Sequence, residues 1–287
     1  MTAPLATWYS ASPELALAAR ALLLPRPGEG ARAVLLEGPP GAGKSAFAQA
    51  LAEGLGAELV VHQLHEWSDA DELFAGVDVA AAVAGEADAV RQPGVLAVAA
   101  EASLRATATA PAVLLLDELD KAPERTEALL LDWLQSGRTP LAPGRHILAD
   151  HDRLVVVATS NGARDLSDAL LRRVRRVVVP TLPADVVDDI VRRQTGAPPG
   201  VVTLICRACR RAAEADGAWA SPQELGRAVA EAVALASSAA DMAAIVSAWG
   251  ARGEAGRAWV RSPAGRDAIA AAWGELQATR RREGIGA

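Results

Sequence analysis

The chain has 287 residues, two cysteines and a net charge of −6 at pH 7. This acidic balance disfavours a protein whose main partner is a nucleic-acid backbone, because non-specific affinity for that backbone comes from clustered cations. Residues 1–10 contain neither a basic segment nor an apolar run, and no run of about 18 apolar residues follows, so the sequence predicts no secretory signal, no membrane span and a cytoplasmic location.

Five short apolar runs lie in the first two thirds of the chain. They are continuous runs of branched residues rather than alternating patterns, which is typical of strands that are buried on both faces of a parallel sheet. The segments between them have helical patterns, and strands that alternate with helices predict a doubly wound α/β domain. The predicted strands are residues 33–36, 58–61, 113–116, 154–158 and 177–179.

Two segments interrupt this alternation of strands and helices. Residues 74–94 form an alanine-rich, acidic insertion. Residues 138–153 contain Pro143 and Gly144, which suit the central positions of a type II turn, and this segment predicts a hairpin before the fourth strand.

Strand patterns end near residue 184, and only helical patterns follow. We therefore predict an α/β domain over residues 1–182, a smaller all-helical domain over 183–237 and a helical C-terminal extension over 238–287. The expected helices are residues 185–194, 201–215, 221–237, 241–249 and 263–282, with turns at 195–200 and 250–256.

Two pairs of residues have the composition of metal sites but lack the context. Cys206 and Cys209 share one face of a predicted helix, with no second pair of ligands nearby, and we interpret them as small residues that are partly buried in packing. His62 and His65 lie across the exit from a strand, where their spacing is not expected to place both side chains on one face. No metal site is predicted at either pair.

A phosphate-binding loop lies between the first strand and the next helix. Residues 38–45 read G-x-x-x-x-G-K-S, in which the glycines let backbone N–H groups face phosphates beside the positive end of a helix. Lys44 is one of only two lysines among 29 basic residues, and its compact ammonium is expected to bridge the β- and γ-phosphates. The hydroxyl of Ser45 is expected to bind Mg²⁺. The predicted nucleotide-binding residues are Gly38, Pro39, Pro40, Gly41, Ala42, Gly43, Lys44, Ser45, Ala46 and Asp117.

The third predicted strand ends in two adjacent carboxylates, Asp117 and Glu118. At this position Asp117 is predicted to hold Mg²⁺, and Glu118 is predicted to orient and deprotonate the attacking water. A glutamate after the metal-binding aspartate indicates hydrolysis of ATP, and the chain contains no guanine-reading N-K-x-D sequence. The sequence therefore predicts an enzyme that hydrolyses ATP.

Two further sites follow along the chain. Asn161 ends the fourth strand, where its amide could hold the attacking water against the γ-phosphate, although asparagine is also a common turn residue. Arg172 and Arg173 end a short helical pattern, where they could complement the helix dipole or act as an arginine finger that contacts the γ-phosphate in a neighbouring subunit.

The order of these parts resembles that of AAA+ ATPases. The resemblance covers about residues 8–235 and depends on the phosphate loop, D-E strand, T-S-N strand and L-S-D-A-L-L-R-R sequence that lie within 38–176. The insertion and the hairpin resemble the two extra elements of the MoxR-type branch. Residues 71–74, 114–122 and 159–170 are most similar to its carbon-monoxide-dehydrogenase-maturation-like subset.

This resemblance implies a five-stranded parallel sheet with flanking helices and a helical lid. It makes Asn161 the first sensor of the γ-phosphate, Arg173 the first choice for the finger and Arg172 the second, and it places residues 8–13 over the adenine. Family members assemble as rings, often hexamers, and work with a partner that carries a von Willebrand A domain. They remodel or activate proteins, in some cases to insert a metal cofactor.

The lid region departs from the wider family in one place. Many AAA+ proteins present an arginine to the γ-phosphate within a sequence such as S-P-R, and Gln223 occupies that position here. Either Arg227, one helical turn further on, replaces this arginine, or the lid senses the nucleotide weakly.

Two other functions remain compatible with these motifs. A nucleic-acid-associated AAA+ motor needs basic loops at a pore, and the insertion carries acids and a single arginine, Arg91. A nucleotide-dependent regulatory module in a defence or signalling complex needs no turnover, and the presence of Glu118 and Asn161 disfavours it.

Overall fold

The computed structural model describes residues 4–25, 28, 30–77, 83, 91–142 and 144–283. The chain divides into two compact units, Met1–Pro180 and Thr181–Ala287. Among the described residues, no helix combines the length and the apolar character that are needed to span a membrane.

The first unit alternates strands and helices in the order that the sequence predicts. Its elements are α1 (Pro13–Leu22), β1 (Arg32–Glu37), α2 (Lys44–Leu55), β2 (Leu59–Gln63), α3 (Ala70–Leu73), β3 (Ala75–Val77), β4 (Arg91–Pro93), α4 (Val95–Arg105), β5 (Ala112–Asp117), α5 (Glu124–Ser136), β6 (Arg138–Ala142), β7 (Arg145–Leu148), β8 (Leu154–Ser160), α6 (Asp168–Leu171) and β9 (Arg175–Val178). Single turns of 3₁₀ helix lie at Leu119–Lys121 and His151–Arg153.

The five predicted strands form one parallel sheet in the order β2-β5-β8-β1-β9. Helices cover both of its faces, and successive strand residues point to opposite faces. Leu36 of β1 packs in one core with Phe47, whereas Leu35 packs in the other with Leu96 and Trp133. The prediction of an α/β domain with a five-stranded parallel sheet is therefore confirmed.

The register of the sheet aligns the carboxyl ends of four strands. Gln63 at the end of β2 lies opposite Asp117 at the end of β5, and Glu37 at the end of β1 lies opposite Ser160 at the end of β8. In open parallel sheets, ligands bind outside these carboxyl ends. The loops that follow β1, β5 and β8 therefore meet at one edge.

The two predicted interruptions each contain an antiparallel pair of strands. In the segment 74–94, β3 pairs with β4, and residues 78–82 and 84–90 lie outside the described part of the chain. In the segment 138–153, β6 pairs with β7. Gly144 adopts the left-handed conformation that a glycine suits, with φ 73°, whereas Pro143 lies outside the described residues.

The described part of the second unit consists of helices around one apolar core. They are α7 (Ala184–Thr195), α8 (Pro199–Ala215), α9 (Pro222–Leu235), α10 (Ala239–Gly250), α11 (Glu254–Arg261) and α12 (Pro263–Arg282). Ile205 and Leu225 from the predicted helical domain share this core with Met242, Ile269 and Leu276 from the predicted extension. The residues after 238 thus complete a core that the preceding helices begin.

Helix α11 was not predicted, because its N-terminal anchor is distant in sequence. The carboxylate of Asp216 accepts hydrogen bonds from the backbone N–H groups of Arg252 and Gly253, both at 2.7 Å, and of Gly256 at 2.8 Å. These N–H groups have no partner within the helix itself. The anchor lies at the end of α8, so no local capping signal precedes Glu254.

Replacing Asp216 with alanine is expected to lower the midpoint of thermal unfolding, because three backbone N–H groups lose their acceptor. Circular dichroism of the whole chain measures this midpoint. Asp267→Ala is the matched control, since Asp267 is an exposed aspartate on α12. Equal midpoints for the two variants would contradict an anchoring role for Asp216.

The stabilisation that the Asp216 carboxylate provides depends on pH. Hydrogen bonds from the N–H of Gly253, and then of Gly256, hold the pKa of Asp216 below its ordinary value. A carboxylate with a lowered pKa stabilises the fold above the pKa of the unfolded chain, and the stabilisation is lost as pH falls through the folded-state pKa. The difference in midpoint between the Asp216→Ala variant and the unmodified protein should therefore shrink below about pH 4.

Candidate nucleotide site

The loop between β1 and α2 has the conformation that its glycines permit. Gly41 and Gly43 adopt φ of 76° and 87°, in the left-handed region that side chains disfavour. At Gly38, a Cβ atom would lie 2.1 Å from the carbonyl oxygen of Val179. Helix α2 begins at Lys44, so its positive N-terminal end lies at this loop.

Lys44 is the central cation of the site and is only 6% exposed. Its ammonium donates to the carbonyl oxygens of Gly38 at 2.6 Å and Pro39 at 2.8 Å, and to Oδ1 of Asn161 at 2.8 Å. These bonds engage its three donor hydrogens. Burial lowers the pKa of Lys44, and the negative charge of Asp117 opposes that shift. Lys44 thus joins the phosphate loop to the end of β8.

Ser45 and Asp117 provide adjacent oxygen ligands. The hydroxyl of Ser45 lies 2.8 and 2.9 Å from the two carboxylate oxygens of Asp117. Thr159 on β8 donates its hydroxyl hydrogen to Oδ1 of Asp117 and accepts a hydrogen bond from the N–H of Glu118 at 2.9 Å. A hydroxyl and a carboxylate side by side match the oxygen ligands that Mg²⁺ prefers. The donor set therefore fits this ion.

Glu118 has an unusual backbone and a fully engaged carboxylate. Its φ of 57° is the one positive value among the described non-glycine residues. Its Oε2 accepts from Nζ of Lys121 at 2.8 Å and Nε2 of Gln63 at 2.7 Å, and its Oε1 accepts from Nδ2 of Asn161 at 3.2 Å. The hydrogen bond from Lys121 is the main cause that lowers the pKa of Glu118. The side chain is therefore an anion near neutral pH.

Asn161 lies at the centre of these groups. Its side-chain oxygen accepts from Lys44, and its amide nitrogen donates to Glu118. One amide thus contacts both the phosphate-loop cation and the carboxylate that is predicted to activate water. Side-chain hydrogen bonds join Lys44, Asn161 and Glu118 in one set and Ser45 and Asp117 in another, and the hydroxyl of Thr159 links the two sets through Asp117 and the backbone N–H of Glu118.

The predicted finger arginines lie outside this cluster. Arg172 and Arg173 are exposed, at the end of α6. Arg173 donates from Nη2 to Oε1 of Gln135 at 2.9 Å, and the guanidinium of Arg172 has no hydrogen-bond or ion-pair partner among the described residues. Neither contacts the predicted catalytic groups of its own chain.

The N-terminal segment contacts the phosphate loop. The hydroxyl of Tyr9 donates to the carbonyl oxygen of Gly43 at 3.1 Å, and its ring meets that of Phe47 edge to face. Burial raises the pKa of Tyr9. Trp8 donates to a carboxylate oxygen of Glu53 at 2.6 Å. Residues 8 and 9 therefore attach the start of the chain to the loop and to α2.

Sequence reasoning did not identify three contacts of this site. Thr159 binds both carboxylate residues, and Gln63 and Lys121 bind Glu118. The available signals were weak: Lys121 is the second of two lysines, and Thr159 precedes Asn161 in the T-S-N sequence. Nothing in the local pattern distinguishes Gln63 from other residues of an edge strand.

The histidine pair differs from the sequence expectation. His62 and His65 both approach the carboxylate of Glu72, with Nε2 to oxygen distances of 3.5 and 3.1 Å. The chain bends after β2, so a spacing that would separate side chains along a strand brings them to one carboxylate.

In the helical unit, Gln223 is exposed, and the guanidinium of Arg227 lies 5.6 Å from the ring centroid of Trp249. This cation–π contact occupies Arg227 within its own unit. Cys206 and Cys209 are buried in the helical core, and burial raises the pKa of both thiols. Their environment is that of packing residues.

A phosphate loop after β1, an asparagine after the neighbouring β8 and carboxylates at the end of β5, on the other side of β8, form the residue arrangement of a P-loop ATPase site. The family model described as the AAA domain (dynein-related subfamily) matches residues 33–174, which include all of these elements. The α/β unit thus matches an AAA domain and carries the residue set of an ATPase site.

Among solved structures, this chain is similar to a candidate ATPase from Cytophaga hutchinsonii. The two are 18% identical with a TM-score of 0.46, and the match covers 63% of this chain and 49% of that chain. The present chain thus spans about half the length of that protein. No curated protein matches the chain.

Proposed function

We propose that this ATPase assembles into a ring of identical subunits and uses ATP hydrolysis to remodel or activate a partner protein in the cytoplasm. One observation carries the assembly: a single chain clusters the groups that are proposed to bind phosphate and activate water, whereas Arg172 and Arg173 lie exposed outside that cluster. A neighbouring subunit would supply the guanidinium that this site lacks, as an arginine finger does in trans.

The chain's own residues account for the hydrolytic step. Lys44 and the N-terminal end of α2 bind the β- and γ-phosphates, and Asn161 orients the attacking water beside Glu118, which takes its proton. Ser45 and Asp117 are the residues that would hold Mg²⁺, which supplies charge neutralisation at the phosphates. Residues 8–13 are proposed to cover the adenine, and contact between Tyr9 and Gly43 supports this placement.

The resemblance to the MoxR-type branch supports a protein client. The paired strands within residues 74–94 and 138–153 match the positions of its two extra elements. We therefore propose a hexameric ring, a partner with a von Willebrand A domain and, from the carbon-monoxide-dehydrogenase-maturation-like stretches, a role in metal-cofactor maturation. Arg173 is the proposed finger, with Arg172 as the alternative.

The assembly can be tested by measuring Mg²⁺-dependent ATP hydrolysis per subunit over a wide range of protein concentration. We expect the specific rate to rise and then saturate, because the competent site contains residues from two subunits. The Arg172→Ala/Arg173→Ala double variant should stay at the low rate throughout, while it reaches the same size by gel filtration. A specific rate that is independent of concentration across a measured monomer–oligomer transition would contradict shared sites.

A further inference from the structure

Residues 161–173 connect two predicted functional sites of the α/β unit, the nucleotide cluster and the finger arginines. Asn161 stands at the start of this segment, within the nucleotide cluster, and Arg172 and Arg173 stand at its end. The segment lies against residues 119–135, which follow directly after Glu118. Four charged side chains make polar contacts between the two segments: Asp120, Glu127, Arg164 and Arg173.

Asp120 binds the N-terminal end of the segment 161–173. Its carboxylate is buried, and its Oδ2 accepts from the backbone N–H of Asn161 at 3.1 Å and of Ala163 at 2.7 Å. Its Oδ1 is buried with no hydrogen-bond partner among the described residues. Burying a carboxylate costs free energy that two N–H groups only partly offset. Asp120 therefore attaches the backbone at Asn161 and Ala163 to the residues that follow Glu118.

Glu127 holds the middle of the segment. It is 2% exposed, and its Oε1 accepts from the N–H of Ser167 at 2.7 Å. Its Oε2 lies 2.9 Å from Nη1 of Arg164, an ion pair without hydrogen-bond geometry, and that nitrogen also donates to the carbonyl oxygen of Asp165. Glu127 thus binds the connecting segment at both a backbone and a side-chain group.

Arg164, which belongs to the segment 161–173, binds the segment 119–135 in turn. Its Nε and Nη2 both donate to the carbonyl oxygen of Ala122, at 3.1 and 2.8 Å. A guanidinium presents these donors in a rigid plane, so the two bonds fix its orientation as well as its position. Together with the ion pair to Glu127, they attach residue 164 to the start of α5.

The C-terminal end of the segment 161–173 is held by apolar packing and by the N-terminal cap of α6. Ser167, which Glu127 binds, accepts from the N–H of Leu170 and so caps α6. Leu170 is 1% exposed and belongs to the same core as Leu130 and Trp133 of α5. Arg173, three residues after Leu170, donates to Gln135 near the end of α5.

We infer that Asp120, Glu127 and Arg164 are positioning residues that hold Asn161 and the finger arginines at a fixed separation. The inference rests on the proposed ring, in which Asn161 reads the nucleotide of its own subunit and Arg173 reaches that of the neighbour. Because one braced segment carries both, a displacement of Asn161 at one site is transmitted to the arginine that completes the next. The two sites are thereby coupled through buried polar contacts.

The test uses mixtures of two inactive variants. Lys44→Ala serves as the donor, since it cannot use its own nucleotide but still offers its arginines. Arg172→Ala/Arg173→Ala serves as the acceptor, since its own nucleotide site is complete apart from the finger. Hydrolysis by the mixture then occurs in acceptor sites that a donor arginine completes, and this recovery is the reference rate.

Glu127→Gln is then added to the donor alone. We expect the recovered kcat to fall by about 10- to 100-fold, because a displaced arginine is a misplaced catalytic group. The KM for ATP should stay unchanged, because the acceptor's phosphate loop is unmodified. A donor that carries Glu124→Gln is the matched control, since Glu124 is an exposed glutamate on the same helix.

The possible outcomes distinguish failure of the positioning role from failure of the proposed ring. Recovery with the Glu127→Gln donor that equals recovery with the Glu124→Gln donor would overturn the positioning role while the ring stands. No recovery in the reference mixture would overturn the action in trans, and this inference with it. If the Glu127→Gln donor melts early, Arg164→Gln, with Arg125→Gln as its control, tests the same contact from the less buried side.

Discussion

Replacing Glu118 with glutamine is expected to lower kcat for ATP by about 100- to 10,000-fold while the protein still binds ATP. Glutamine has nearly the same shape and retains an acceptor oxygen, but it cannot take a proton from water. The phosphate-loop contacts of Lys44 and Ser45 do not involve this carboxylate. Phosphate release in the steady state measures the first effect, and binding of a fluorescent ATP analogue measures the second.

A matched control distinguishes the effect of removing the carboxylate of Glu118 from the effect of removing any exposed carboxylate. Glu101→Gln removes an exposed carboxylate whose partner is Arg105, on the same helix, and it should leave both measurements unchanged. Hydrolysis by Glu118→Gln at the rate of the control would remove Glu118 from its proposed role. Loss of ATP binding in Glu118→Gln would instead indicate that its contact with Asn161 maintains the phosphate site.

Replacing Lys44 with alanine is expected to raise the Kd for ATP by about 100-fold or more. Charge-assisted hydrogen bonds contribute about 1.5 to 3 kcal/mol each, and loss of the bonds to two phosphates exceeds the roughly 2.7 kcal/mol that a hundredfold change represents. Lys44→Arg is expected to lose most of the affinity as well. Its planar fork cannot occupy the space in which Nζ lies 2.6 to 2.8 Å from three oxygens.

The other lysine of the chain supplies the control for this prediction. Lys121 contacts Glu118 and makes no hydrogen bond to the phosphate loop, so Lys121→Ala should keep the affinity for ATP even if its turnover changes. Isothermal titration with a non-hydrolysable ATP analogue compares the three variants. Equal affinity of Lys44→Ala and Lys121→Ala would contradict the assignment of Lys44 as the phosphate cation.

Much of the fold was visible in the sequence because its signals are local. The five buried strands are continuous apolar runs, and Gly137 ends α5 in the left-handed conformation that a glycine at a helix end predicts. Helix α11 was missed because its anchor, Asp216, lies far upstream. The meeting of His62 and His65 at Glu72 was missed because it depends on how the chain bends after β2.

The nucleotide site shows the same division. The phosphate loop and the D-E pair are contiguous sequences whose residue types suit phosphate and metal binding, so each could be predicted alone. Thr159 and Gln63 reach Asp117 or Glu118 from neighbouring strands, and only the register of β2, β5 and β8 brings them together. Lys121 reaches Glu118 across the single 3₁₀ turn that follows it.

By itself, the sequence determined the α/β fold and predicted an ATPase with Lys44, Ser45, Asp117 and Glu118 as its reactive groups, because the residues that phosphate and metal binding require stand next to one another in the chain. The tertiary structure decided the rest. Lys44 donates a hydrogen bond to Asn161. Contacts of Asp120, Glu127 and Arg164 hold the segment that ends at Arg173. These contacts join residues about forty or more positions apart. They depend on strand order and helix packing, which local patterns leave open.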